Sequence, residues 1–175
     1  MNPDYVFWIE IPGTDISYPV VQTSNNQDYL RTSFTGERCV GGCIFMDHAC
    51  PSDLSGYNTV IYGHRMPDGT MFAGLKRYLE AAFSSEHDEM RIYIEKETQI
   101  YRLFSVRQTD TNDDYSRISF SSESEIRVWL NDQYDRSVYT HDFDLTDESK
   151  AVTLVTCAGD GTERLVVTWI LEDIQ

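Results

Sequence analysis

A chain of 175 residues can bury one sizeable core, and its 41% hydrophobic and 13% aromatic content is that of an ordered globular domain, read here as a single domain over residues 1–175. Against 29 Asp and Glu stand only 14 Lys and Arg; the net charge of −15 repels phosphate backbones and anionic headgroups and excludes a nucleic-acid partner. No apolar run approaches the roughly 20 residues that cross a bilayer, and the opening MNPDYVFWIEIPGT lacks the basic start and apolar stretch of a secretion signal.

Short strand-like runs bounded by turn residues begin at once: Val6 to Ile11, Ile16 to Gln22, Gly42 to Asp47 and Thr59 to His64. After the turn PDG, the segment TMFAGLKRYLE places Met71, Leu75, Tyr78 and Leu79 at helical spacing. Two more strands follow, Met90 to Lys96 and Gln99 to Gln108; in the first, Ile92 and Ile94 alternate with Arg91, Tyr93 and Glu95, so one face is buried. A second helix is predicted from Ser122 to about Asp135, with Ser122 and Glu125 as a capping-box pair and an apolar stripe of Ile126, Trp129, Leu130 and Tyr134. Ala151 to Cys157 and Arg164 to Leu171 complete eight strands, and the fold is predicted as mostly β, a sandwich or a barrel.

The chemistry concentrates in TLVTCAGDGTER. If AGDGTE is a hairpin loop, Cys157 and Arg164 are opposed on adjacent antiparallel strands, with Cβ atoms about 5 Å apart. Alternation then assigns Val152, Leu154, Leu165, Val167, Trp169 and Leu171 to the core, and Cys157, Arg164, Val155 and Val166 to the outer face. A guanidinium there favours a thiolate or donates to an oxyanion beside the sulfur, whereas the acidic bulk of the chain opposes a thiolate. Residue types alone leave Cys157 open as a structural thiol, half of a disulfide or a nucleophile. Of the histidines, His87 and His141 lie in acidic stretches that read as solvated loops, and His48 is similar but near cysteines; His64 ends an apolar run at a rim, where a scaffold holds side chains in place yet exposed. The remaining thiols, Cys39, Cys43 and Cys50, have the spacing Cys-x3-Cys-x6-Cys, which does not suit zinc. An oxidising habitat would favour a disulfide among them and a reducing one free thiols; no metal and no cofactor is expected.

Taken in order, WIEIPGTDISYPVVQ, NNQDYL, GGCIFMD, NTVIYGH, DGTMFAGL and TLVTC with a downstream arginine resemble the class B sortases, cysteine transpeptidases of Gram-positive cell surfaces. The resemblance covers nearly the whole chain, and the helix after the sixth strand is similar to the insertion that distinguishes that class. It implies a closed eight-stranded β-barrel with short helices and a Cys-His-Arg site of Cys157 as nucleophile, His64 as general acid and Arg164 as ligand of the carbonyl and oxyanion, with Thr156 adding to the oxyanion site. The implied reaction cleaves a C-terminal sorting signal of Asn-Pro-x-Thr or Leu-Pro-x-Thr type after Thr, through a thioacyl-enzyme, and passes the acyl group to an amine of peptidoglycan precursor or a pilin lysine. It also implies the outer face of the cell membrane, with an N-terminal anchor outside these 175 residues. The alternatives are a thiol hydrolase acting on the same peptides and an inactive extracellular peptide-binding barrel. Two departures stand out. Class B members commonly carry Ser where this chain has Val155, which faces the substrate by alternation, and the seven-residue step from Cys157 to Arg164 is short for the class.

Overall fold

The computed structural model describes residues 2–139, 143–146, 148–158 and 162–175, with the backbone alone at Cys157 and Ala158. His141 and residues 159–161, within the expected hairpin loop, lie outside the described residues. The eight strands are β1 (Tyr5–Glu10), β2 (Ser17–Val21), β3 (Ile44–Met46), β4 (Asn58–Tyr62), β5 (Glu89–Ile94), β6 (Glu97–Asp110), β7 (Ala151–Ala158) and β8 (Glu163–Ile174). They close into a barrel in the order β1, β2, β3, β4, β7, β8, β6, β5. β2 with β3 and β4 with β7 pair in parallel, and the other neighbours are antiparallel. β3 is shorter than its apolar run because Gly42 has φ +60°, which ends extended backbone just before it.

Inward-facing residues make the core: Phe7, Ile9, Val20, Ile44, Met90, Ile92, Leu154, Val167 and Trp169 are all buried. The helical segment after PDG is a 3₁₀ helix, Phe72–Leu79, which buries Phe72, Leu75 and Tyr78. The predicted stripe of Met71, Leu75, Tyr78 and Leu79 assumed 3.6 residues per turn; at three per turn the buried face shifts to every third residue. Tyr78 meets Trp169 edge-on at 5.4 Å, seating this helix against the barrel core. A short helix α1 (Ala81–Glu86) follows, and His87 just beyond it is half-buried rather than solvated: its ring lies 4.3 Å from that of Phe83 and its Nδ1 is 3.2 Å from the Pro12 carbonyl oxygen.

Helix α2 (Glu123–Asp135) starts at Ser122, whose Oγ accepts from Glu125 N at 3.3 Å. The reciprocal half of the capping box is displaced by one residue, since the Glu125 carboxylate accepts from Ser121 N and from Arg117 instead. Its apolar face, Ile126, Trp129 and Leu130, packs on Phe104, Ile170 and Ala151 of β6, β8 and β7, outside the barrel; each of those helix side chains contributes roughly 1.5–3 kcal/mol by burial. This changes the sequence reading of the outer face. Val155 and Val166, expected there beside Cys157 and Arg164, are 2% and 0% exposed, because the segment between β6 and α2 folds over them. Residues 151–156 of β7 and 165–170 of β8 are therefore buried on both the inward and the outward rows.

Two features of this shell give testable expectations. A Cβ on Gly42 would stand 2.3 Å from the Tyr29 carbonyl oxygen in a left-handed conformation, so Gly42→Ala should cost at least about 2 kcal/mol in urea denaturation. The buried Arg107 guanidinium holds Asp113 through Nη1 at 2.9 Å and Nη2 at 2.5 Å. Burial alone would raise the Asp113 carboxyl, but hydrogen bonds from Arg107 and Thr109 and the charges of Arg107 and Arg136 outweigh it and bring it down to about 2. A depressed carboxyl stabilises the fold fully above its unfolded value and loses that contribution as pH falls towards the folded one. Asp113→Asn should cost about 3 kcal/mol at neutral pH, and the gap from the parent should close between about pH 4 and pH 2 in denaturation curves taken across that range.

Candidate active site

β4 and β7 lie side by side and point the same way, so their C-terminal ends meet at one rim. The last pair in their register is Tyr62 with Val155, and Gly63 N donates to the Val155 carbonyl at 3.1 Å. Two residues further along each strand direction are His64 and Cys157. On the other side of β7, the antiparallel register puts Cys157 opposite Arg164 and Ala158 opposite Glu163. The fold thus brings the backbones of Cys157, His64 and Arg164 to neighbouring positions across three adjacent strands, about 4.8 Å apart from strand to strand. Gly63 is needed on the way: a Cβ there would stand 2.5 Å from Ile44 Cδ1 and 2.6 Å from Phe72 Cδ2, so only glycine lets β4 run out over the 3₁₀ helix to present His64. The Cys157 thiol itself is outside the described atoms.

From that rim a groove of about 280 Å3 runs back along the outer surface. Its floor is one cross-strand row, Phe45 on β3, Tyr62 on β4 and Val155 on β7, which are register neighbours. Leu30 and Asn26, from the long connection between β2 and β3, form one wall, and Tyr115, from the segment between β6 and α2, forms the other. His64 and Arg164 stand at the open end. Val155, Phe45 and Leu30 make the lining largely apolar, and the groove opens at the rim.

Each wall is tied down by buried polar groups. His64 Nε2 lies 2.8 Å from the Leu30 carbonyl oxygen, so the imidazole is held against the wall by one ring nitrogen. Asp47, 6% exposed, accepts from Tyr62 Oη at 3.0 Å and from Asn26 Nδ2 at 2.8 Å, locking floor to wall. Burial, and then the Asp47 carboxylate, push the Tyr62 phenol well above its ordinary value, which keeps it a neutral donor at any working pH. Arg164 Nη1 donates to the Glu163 carbonyl at 3.0 Å.

Of the residues singled out from the sequence, Val155, Thr156, His64 and Arg164 all line this groove. Thr156 differs in kind from the others, since it pairs with Leu165 on the inward row, and its Oγ1 is buried without a hydrogen-bond partner among the described residues. Sequence reasoning missed Tyr62, Phe45 and Tyr115 as groove residues. The first two sit in recognisable strands but carry no chemical signal, and Tyr115 lies in an irregular stretch with no periodicity to read. Cys39 is exposed and free, while Cys43 and Cys50 are buried and free, so no disulfide joins them. Among the described residues no group of three His, Cys, Asp or Glu could hold a metal ion, and no helix is long and apolar enough to cross a membrane.

The sortase-domain family model matches residues 9–170. The chain is 34% identical to sortase B of Staphylococcus aureus over 170 residues, which is 95% of this chain and 70% of that protein. Its structure superposes on sortase B of Clostridium perfringens with a TM-score of 0.93 at 34% identity, covering 98% of this chain and 96% of that one. A Staphylococcus aureus sortase B-substrate complex matches with a TM-score of 0.92 at 32% identity, covering 98% and 81%. With a barrel of the same form, a family model over most of its length and relatives this similar, the chain belongs to the sortase family of cysteine transpeptidases, in its class B.

Proposed function

We propose that the groove binds a sorting-signal peptide and that Cys157, His64 and Arg164 carry out acyl transfer at its rim. In this reading the Cys157 thiolate attacks the carbonyl carbon of the peptide bond after Thr, and the developing oxyanion is met by the Arg164 guanidinium. The C–N bond breaks as protonated His64 delivers its proton to the leaving amine, and a thioacyl-enzyme remains. An incoming amine, from peptidoglycan precursor or a pilin lysine, gives a proton to the now neutral His64 as it attacks; the C–S bond breaks and the thiolate returns. The observation that carries the reading is the register: Cys157 opposite Arg164, with His64 the corresponding residue on the parallel neighbour, at the end of a peptide-sized groove. The similarity to a substrate-bound sortase B supports a peptide as the groove's occupant.

Where class B members commonly have Ser, Val155 forms part of an apolar floor, which favours an aliphatic or prolyl side chain at that point of the peptide over one that seeks a hydroxyl partner. Sortases are cell-surface enzymes, and by extension this chain works at the outer face of the membrane. Thr156 adjoins the nucleophile and lines the groove, but its Oγ1 is buried on the inward row, so in this reading its hydroxyl is not what meets the oxyanion.

Incubation with Asn-Pro-x-Thr and Leu-Pro-x-Thr peptides, without an acceptor, should leave an acyl adduct on Cys157 by mass spectrometry. Absence of an adduct with any peptide would leave a binding barrel, and release of free acid in the presence of triglycine or a diaminopimelate-type amine would make the protein a hydrolase. Arg164→Ala should lower kcat/KM by at least about a hundredfold with an unchanged circular dichroism spectrum, and unaltered turnover would remove Arg164 from the oxyanion role.

A further inference from the structure

The clamp on Asp113 lies against the same surface as the groove. Arg107 on β6 pairs with Val166 on β8, which pairs with Val155 on β7, so Arg107 stands in the cross-strand row that floors the groove. Thr109 pairs with Arg164, which pairs with Cys157, so Thr109 stands in the next row, that of the proposed reacting groups. The Asp113 carboxylate bridges the two rows. It accepts both terminal nitrogens of Arg107, Thr109 Oγ1 at 2.9 Å, and Arg136 Nη1, from just beyond α2, at 2.6 Å.

Asp113 is also the residue from which the 3₁₀ turn Asp114–Ser116 begins, and it makes no side-chain capping bond to that turn. Its carboxylate is directed to the strands instead, so its position sets where the turn starts, and Tyr115 in that turn is the groove's far wall. The rest of the segment is pinned from other sides. Trp129 Nε1 donates to the Asp114 carbonyl at 3.0 Å, and Asn58 Nδ2 donates to the Arg117 carbonyl at 2.8 Å. Removing the carboxylate frees the start of the turn while those downstream ties keep the segment folded over the barrel.

We propose that Asp113 is a positioning residue for peptide binding: held by Arg107, Thr109 and Arg136, it fixes Tyr115 over the Val155 row and so sets the width of the groove without touching the substrate. The inference rests on the functional reading above. Steady-state transpeptidation by the full chain tests it, using the peptide that forms the adduct and a triglycine acceptor. Asp113→Asn should raise the peptide KM about tenfold and leave kcat within about threefold of the parent. In a Tyr115→Ala background the same substitution should add less than about a twofold change, because its effect passes through that ring. A purely structural role would lower the melting temperature without this coupling.

If Asp113→Asn does not accumulate as folded protein, Arg136→Ala removes one donor from a partly exposed position and should raise KM about threefold with the same dependence on Tyr115. An unchanged KM in the folded variant, or an equal effect with and without Tyr115, overturns the proposal. A parent protein that turns over no peptide overturns the functional reading itself and the proposal with it.

Discussion

The parallel pairing of β4 with β7 is the constraint on which the arrangement depends. Two antiparallel neighbours joined by a hairpin would put the end of one beside the start of the other, and His64 would lie a strand's length from Cys157. A parallel pair needs a long connection, and here that connection contains β5, β6, both α-helices and the two 3₁₀ segments Phe72–Leu79 and Asp114–Ser116. Because β5 and β6 return to the other side of the barrel, the sheet can close through β8 and β1, and Arg164 enters from the strand antiparallel to β7. The backbone of His64 comes beside those of Cys157 and Arg164, about ninety residues later in the chain, because one crossover is long enough to carry two of the eight strands.

Once the strands fix the floor, the walls are a separate problem, and the molecule solves it with buried polar groups in irregular segments. Asp47 binds the β2–β3 connection to Tyr62, and Asp113 binds the β6–α2 segment to β6. Each is a carboxylate out of water whose lone pairs are taken by several donors, which is the condition under which burying one is tolerable. Apolar packing alone would let such loops slide; a carboxylate with a fixed set of partners has one good place to be. The cost is carried away from the rim, where His64 and Arg164 remain accessible.

Much of this was legible from residue patterns. Alternation and β-branched runs gave all eight strands, and the glycine turn after Cys157 gave its pairing with Arg164, because hairpin register follows from loop length and from which face must be apolar. The covering of Val155 and Val166 was not legible, since a strand covered on both sides by its own chain has the same local pattern as one whose outer face is wet. Arg107 shows the same limit: at an outward position of an alternating strand it reads as a solvated charge, and only the tertiary fold turns it into a buried partner for Asp113. Tyr115 carried no signal at all, whereas Asn26 and Leu30 lay inside a block that resembled the family but had no role there until the groove gave them one.

The two buried thiols bear on how the protein meets electrophiles. Burial pushes both Cys43 and Cys50 up to about 11, and a thiol with that value is ionised only about once in ten thousand molecules at pH 7. Alkylating or oxidising agents that need the sulfur anion therefore find these two side chains chemically silent. A protein that handles acyl groups through sulfur thus keeps its structural sulfurs out of the competition by solvation alone, with no need to pair them.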